Sequence, residues 1–109
     1  MLFRSVDSHT GLSRGYARTA DGNITVFDVG SNTSTQPQVI NAKGLIAGTY
    51  LDEQFVRHGF VRSGKGKITS FDPPMSKNIN VQAINKSGTV GGWYIDSSSN
   101  LARGYLRVR

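Results

Sequence analysis

His58-Gly59-Phe60-Val61-Arg62 lies near the middle of the chain, and it indicates the fold because two similar stretches flank it. The earlier one is Arg14-Gly15-Tyr16-Ala17-Arg18, and the later one is Arg103-Gly104-Tyr105-Leu106-Arg107. An internal repeat of this length is typical of stacked or radially arranged β-units. The sequence therefore predicts an all-β protein built from copies of one unit.

An alignment of the chain on itself defines the copies. Residues 14–52 align with residues 58–96 without a gap, and 14 of these 39 positions are identical. The identical residues of the first copy are Gly15, Arg18, Gly22, Ile24, Thr25, Phe27, Asp28, Gln38, Ile40, Asn41, Gly44, Gly48, Tyr50 and Asp52. We therefore divide one domain, residues 1–109, into a partial repeat 1–13, a repeat 14–57, a repeat 58–102 and a partial repeat 103–109.

Each repeat of about 44 residues is predicted to contain four short antiparallel strands, because 13 glycines punctuate short apolar runs and no helical periodicity is sustained. A two-residue turn at Lys65-Gly66, and an Asp-Gly turn in the first copy, would join strands one and two. That register places Tyr16 opposite Phe27 and Phe60 opposite Phe71.

Strand three is predicted at Gln38-Val39-Ile40 in the first copy and follows a polar loop. It is joined to strand four by a turn that opens on Asn and closes on Gly, namely residues 41–44 and, in the second copy, residues 85–88. Gly48 and Gly92 recur inside strand four, where a missing side chain permits close approach of another group.

The chain resembles the HAF repeats of bacterial extracellular proteins. The residues that carry the resemblance are His58, Phe60, Ala83-Ile84-Asn85, Gly88, Gly92 and Tyr94. Gly59 stands where the family's His-Ala-Phe tripeptide has alanine, and the other copies begin with arginine. The resemblance implies a β-propeller-like arrangement and an extracellular location, and it implies no catalytic residues.

Closure is the main question that this fold class raises. Propellers contain 4 to 8 blades, so two full repeats cannot close a ring. We expect a homo-oligomer to complete the blades, for example a trimer in which each chain contributes two. The alternative is an up-and-down β-barrel closed within one chain.

Composition excludes several classes of function. Thirteen Lys and Arg against seven Asp and Glu give a formal charge of +6, but the cations form no run, so nucleic acid is not favoured as a partner. The absence of cysteine excludes disulfides and thiolate metal sites. The sequence contains neither a signal-like apolar run near residue 1 nor an apolar stretch long enough to span a membrane.

Aromatic and cationic side chains are the candidate ligand-binding residues, because rings beside cations bind sugar faces or stack on other rings. They are Trp93, Tyr94, Tyr50, Arg18, Arg62 and Arg107. The alternative is that the tyrosines fill gaps between blades while the arginines pair with aspartates. Trp93 replaces Thr49 of the other copy, and a residue that breaks the repeat favours a functional role.

Three aspartates end the fourth strand: Asp7, Asp52 and Asp96. They are expected to cap turns, since Asp side chains accept hydrogen bonds from backbone amides two residues on. If the copies instead converge at one end of a ring, the same carboxylates would form a calcium site. Calcium there would polarise an ester or lactone carbonyl.

The sequence thus favours a non-enzymatic β-repeat module that binds a carbohydrate or another extended polar ligand. The alternatives are a calcium-assisted hydrolase of small esters or lactones, and a structural repeat fragment without a ligand. No residue is assigned as catalytic. His58 occupies a position that holds arginine in the other copies, which does not favour metal ligation.

Overall fold

The computed structural model describes residues 2–6, 13–18, 24–29, 34–73 and 75–108. These residues form ten β-strands and no helix, so they contain no helix that could cross a membrane. The strands are β1 Leu2–Val6, β2 Ser13–Arg18, β3 Ile24–Phe27, β4 Ser34–Ile40, β5 Ile46–Leu51, β6 Arg57–Arg62, β7 Ile68–Phe71, β8 Ser76–Ile84, β9 Val90–Asp96 and β10 Ala102–Arg107.

The strands form three antiparallel sheets. Sheet I has the order β1-β2-β3, sheet II the order β4-β5-β6-β7, and sheet III the order β10-β9-β8. The all-β prediction is therefore confirmed. None of the three sheets is closed into a barrel, so the described part of the chain does not form the single-chain barrel considered as the alternative.

Sheet II crosses the boundary between the two aligned repeats. Its strands β4 and β5 belong to repeat 14–57. Strand β6 begins at Arg57, the last residue of that repeat, and β6 then continues into the following repeat, which also contains β7. The turn after Asp52 joins the two halves directly, so β5 pairs with β6 as a hairpin. A sheet therefore combines strands three and four of one copy with strands one and two of the next.

The predicted register of the first hairpin is wrong by one residue. Tyr16 lies opposite Val26, and Phe60 lies opposite Ser70, whereas the two phenylalanines of the second strands lie opposite glycines. The cause is the turn, which spans the five residues 63–67 rather than two and places Gly66 at φ 94°. A shift of one residue moves every side chain to the opposite face.

The glycines opposite these rings have a steric role. A Cβ built on Gly15 would lie 2.7 Å from the ring of Phe27, and one built on Gly59 would lie 2.5 Å from the ring of Phe71. Each phenylalanine thus lies on the backbone of the neighbouring strand. The stacking requires a residue without a side chain.

The glycines of the fourth strands leave room for the backbone of the neighbouring third strands. Register shifts occur between Pro37 and Val39 in β4 and between Val81 and Ala83 in β8. A Cβ built on Gly48 would overlap the Gln36 carbonyl oxygen, and the Asn80 carbonyl lies in the same way over Gly92. The predicted close approach at these two positions is confirmed, and the approaching group is the backbone of an irregular strand.

Aromatic contacts join the sheets. Phe27 of sheet I meets Phe60 of sheet II edge-on, with ring centroids 6.3 Å apart, and Phe60 is completely buried. Phe71 of sheet II lies 5.9 Å from Tyr105 of sheet III. Phe60 and Tyr105 are equivalent in the sequence alignment. Aligned positions therefore make similar contacts at both junctions.

The turns between strands use one hydrogen-bonding pattern. The Asn41 Oδ1 atom accepts bonds from two backbone amides of its own turn, and Asn85 does the same. Gly44 and Gly88 close these turns with positive φ, as predicted. In the turn that begins at Asp52, Phe55 occupies the position that Gly44 and Gly88 occupy in the other turns. Its φ of 64° is a backbone conformation that bulky residues rarely adopt, and its side chain is 81% exposed.

Candidate functional site

His58 lies between two carboxylates. Its Nε2 atom is 2.8 Å from Oδ2 of Asp52, and its Nδ1 atom is 2.9 Å from Oδ2 of Asp72. The ring also stacks beside Tyr50, with centroids 5.1 Å apart. Because both ring nitrogens bind carboxylates, the arrangement suits an imidazolium that donates two hydrogen bonds.

The electrostatics of this cluster follow from its geometry. Burial alone would lower the pKa of His58, but the hydrogen bonds and negative charges of the two aspartates together raise it above its ordinary value of 6.5. The hydrogen bond from His58, aided by the Val56 amide, lowers the pKa of Asp52. The cluster is therefore held together most strongly when the histidine is protonated and the carboxylates are ionised.

We expect stability to fall on the alkaline side because of His58. A raised pKa in the folded state contributes stability below pH 6.5, and that contribution is lost as the pH rises through the folded pKa. Replacement His58→Arg restores the residue found at positions 14 and 103 and keeps a permanent charge. Urea unfolding between pH 5 and pH 9 should show the alkaline loss in the wild type and not in the variant.

Asp72→Asn should reduce the alkaline loss without abolishing it, because one of the two carboxylates that raise the pKa of His58 is removed. If His58→Arg retained the full pH dependence of the wild type, another group would be responsible. The arginine of the first copy shows that the position accepts the change, since Arg14 binds Asp28 with a separation of 2.9 Å.

Two of the three predicted arginines, Arg62 and Arg107, make contacts between sheets. The guanidinium of Arg62 lies 5.1 Å from the ring centroid of Phe27, and that of Arg107 lies 5.4 Å from Phe71. Arg18 is the aligned residue of sheet I and is exposed. Arg14 and Arg103, near the start of first strands, pair with Asp28 and Asp96.

The structure separates the predicted aromatic residues. Trp93 and Tyr94 are consecutive on β9, so their side chains point to opposite faces of sheet III. Tyr94 packs 6.2 Å from Tyr105 on the face towards sheet II, while Trp93 is 38% exposed. Tyr50 lies in sheet II, where its hydroxyl is 2.7 Å from the Ser70 hydroxyl.

Two of the predicted residues, Tyr94 and Arg107, line one cleft beside β10. The cleft encloses about 430 Å³, and its other lining residues are Phe71, Asp72, Pro73, Gly104, Tyr105 and Leu106. Burial raises the pKa of the Tyr105 hydroxyl to about 12, and this hydroxyl donates a hydrogen bond to the Asn80 carbonyl. The sequence analysis placed Phe71 in a cross-strand pair, and so missed that it borders an open cleft together with Asp72.

Two of the aspartates considered for calcium, Asp52 and Asp96, cap turns, as the first interpretation predicted. Asp52 accepts the amide of Gln54, and Asp96 accepts the amide of Ser98. Hydrogen bonds from Ser98 and the backbone lower the pKa of Asp96 to about 2. Asp7 lies outside the described residues. Those residues contain no group of three or more potential metal ligands of the His, Cys, Asp and Glu types.

No protein-family model, curated protein or solved structure matches the chain. The HAF resemblance therefore rests on the motif residues, and any functional argument rests on the geometry of the chain.

Proposed function

We propose that the chain is a non-enzymatic binding module that holds an extended polar ligand in the cleft between sheets II and III beside β10. The cleft combines aromatic surface with one acidic and one basic side chain, Asp72 and Arg107. Its volume of about 430 Å³ is within the usual range for ligand sites. A carbohydrate is one ligand of this kind.

The proposal rests on the hydrogen bonding of the Tyr94 hydroxyl. The aligned Tyr50 hydroxyl is bonded to Ser70 of β7. Among the described residues, the hydroxyl of Tyr94 makes no corresponding hydrogen bond. A polar group on a ligand can therefore bind this hydroxyl within the cleft.

Calcium and ester or lactone hydrolysis are not carried into the proposal. Both oxygens of Asp52 and both oxygens of Asp96 already accept hydrogen bonds from side chains or backbone. A calcium ion would have to displace these bonds, and no observation within the described residues favours that exchange.

We further propose that the three sheets are propeller-like blades extended by other copies of the chain, as the repeat resemblance suggests. Support comes from the arginine and aromatic contacts that recur at both junctions between sheets. Light scattering that gave the mass of one chain at micromolar concentration would contradict this assembly.

Replacement Tyr94→Phe tests the ligand site. A glycan array would first select an oligosaccharide, and calorimetric titration would then compare the wild type with the variant. Loss of one hydrogen bond to a ligand is worth about 1 kcal/mol or slightly more, so we expect roughly a fivefold to tenfold loss of affinity.

Tyr50→Phe is the matched comparison, because its hydroxyl is bonded to Ser70 and lies outside the lining of the cleft. We expect it to leave affinity unchanged. Equal effects of the two replacements would place the ligand elsewhere.

A further inference from the structure

Most lysines of sheets II and III lie at one end of the strands. Three turns meet there, residues 41–44, 63–67 and 85–88, and we call them together the lysine end. They contain no carboxylate, and their lysines are Lys43, Lys65, Lys67 and Lys86. The ion pairs of the described residues involve aspartates at the opposite strand ends, namely Asp28, Asp52, Asp72 and Asp96. Within the described part of the chain, no ion pair therefore neutralises these lysines, and their charge attracts anions.

Contacts between the turns hold the lysine end together. The Asn41 Nδ2 atom donates a hydrogen bond to the Asn85 carbonyl oxygen at 2.9 Å. A Cβ built on Gly64 would lie 3.5 Å from the Lys43 carbonyl oxygen, so the first two turns touch as well. Inside its own turn the Ser63 hydroxyl accepts a backbone amide, as Asn41 and Asn85 do in theirs. The lysines therefore extend from a backbone that hydrogen bonds keep in place.

The lysines distinguish the two copies of the repeat. Lys65 takes the place of Asp21, and Lys43 aligns with Ser87. Neither of the other two lysines aligns with a lysine. The Asn that opens a turn and the Gly that closes it recur in both copies, because the turn conformation requires them. The lysines are not needed for that conformation, so their presence favours a role in binding.

Two clefts open among the turns of the lysine end. The first encloses about 410 Å³ and is lined by Lys43, Leu45, Ser63, Gly64 and Lys65. The second encloses about 230 Å³, and its lining includes Leu45, Ser63, Lys67 and Arg107. Because Leu45 and Ser63 border both clefts, the two form one groove. The described residues that line this groove include lysines and an arginine but neither a carboxylate nor an aromatic ring.

The groove adjoins the cleft that contains Tyr94. Arg107 lines both of them. On the other wall, Thr69 lines the groove and Phe71 lines the cleft, and these residues lie two positions apart on β7. Side chains at that spacing point to the same face of a strand. An extended ligand in the cleft would therefore reach the lysine end by continuing along β7.

We propose that the lysine end binds the anionic part of an oligosaccharide whose other sugars lie in the cleft beside Tyr94. Carboxylate or sulfate groups of the sugars would bind Lys43, Lys65 and Lys67, and the Ser63 hydroxyl would bind sugar hydroxyls. This inference rests on the proposed function and adds the charge of its ligand. Nucleic acid fits the groove less well, because the lining has no aromatic residue on which an unpaired base could stack.

Two ligands that differ only in charge are the direct probe. An oligomer of galacturonic acid carries one carboxylate on each sugar, and its methyl ester has the same backbone without the charge. Calorimetric titration of the full chain at neutral pH and low salt should show saturable binding of the acid and at least about tenfold weaker binding of the ester. A sulfated oligosaccharide titrated in parallel shows which anionic group is preferred.

Replacement Lys65→Gln removes one charge from the groove and should weaken binding of the acid severalfold at low salt and less at high salt. Lys77→Gln is the matched control, because Lys77 is also an exposed lysine but lies at the opposite end, where β8 begins. We expect it to leave affinity unchanged. Equal effects of the two replacements would mean that only net charge matters, and would overturn the proposal.

The outcomes also separate this inference from the proposed function. Equal binding of acid and ester, weakened in both cases by Tyr94→Phe, would overturn the anionic ligand and retain the cleft. Binding of the acid that depends on Lys65 but not on Tyr94 would support the lysine end and overturn the cleft as its continuation. Absence of saturable binding at millimolar acid or sulfated sugar, or tighter binding of a single-stranded oligonucleotide, would overturn the inference.

Discussion

Replacing Phe60 with alanine is expected to lower the free energy of unfolding by about 3–5 kcal/mol, the usual cost of removing a buried aromatic ring. Phe60 is completely buried, and its ring contacts Phe27 of sheet I and Tyr50 of its own sheet. Loss of the ring therefore weakens both sheet II and its junction with sheet I. Since domains of this size are stable by roughly 5–15 kcal/mol, a large part of the total would be lost.

Urea unfolding followed by far-ultraviolet circular dichroism measures this effect. Phe55→Ala is the control, because Phe55 is 81% exposed and its replacement should change stability by less than about 0.5 kcal/mol. A similar loss for both replacements would mean that the packing of Phe60 is not the source of the effect.

Gly92→Ala has the second large expected effect. An added methyl group would overlap the Asn80 carbonyl oxygen and lie 2.9 Å from the hydroxyl of Tyr105. The backbone of β8 would have to move, and the hydrogen bond between Tyr105 and that carbonyl would be disturbed. Overpacking of this kind costs about 1–3 kcal/mol, and we expect the upper end because the crowding atoms belong to backbone.

The neighbouring glycine provides the control. Gly91 lies on the same strand, and its added methyl group would lie 3.4 Å from the flexible side chain of Leu106 and 3.9 Å from the Tyr105 carbonyl oxygen, both ordinary contact distances. Gly91→Ala should therefore change stability little. Thermal unfolding of the two variants under one condition makes the comparison, and equal melting temperatures would contradict the steric explanation.

The fold class could be predicted because glycine spacing and the repeated strand pattern are local features of the sequence. The length of strand three could not be predicted from the sequence. It was predicted to begin at Gln38 and begins at Ser34, since a polar segment enters the sheet through an irregular pairing with β5. Thr35 is completely buried there, and its hydroxyl oxygen accepts the Val29 amide. Tertiary hydrogen bonding thus overrides the preference of a polar sequence for loops.

The candidate site was predictable only in part. Tyr94 and Arg107 were selected as aromatic and cationic residues, and the structure brings them to one cleft. Trp93 was grouped with them, although alternation along the strand places it on the other face of the sheet. Asp72 lines the cleft because the end of β7 lies beside β10. A repeat alignment could not predict this, since it contains no information about which strands of different copies lie next to each other.

The offset between the sheets and the aligned repeats has a consequence for how such a chain can be divided. The segment that recurs in the sequence, residues 58–102, contributes strands to two different sheets. A cut at the repeat boundary would therefore separate β5 from β6 and divide sheet II. Cuts before Ser34 and after Phe71 would keep sheet II whole but would remove the partners of its buried side chains, Phe27 in sheet I and Val90 in sheet III. The aligned unit and the sheet are different segments of the chain, and the core depends on more than one sheet.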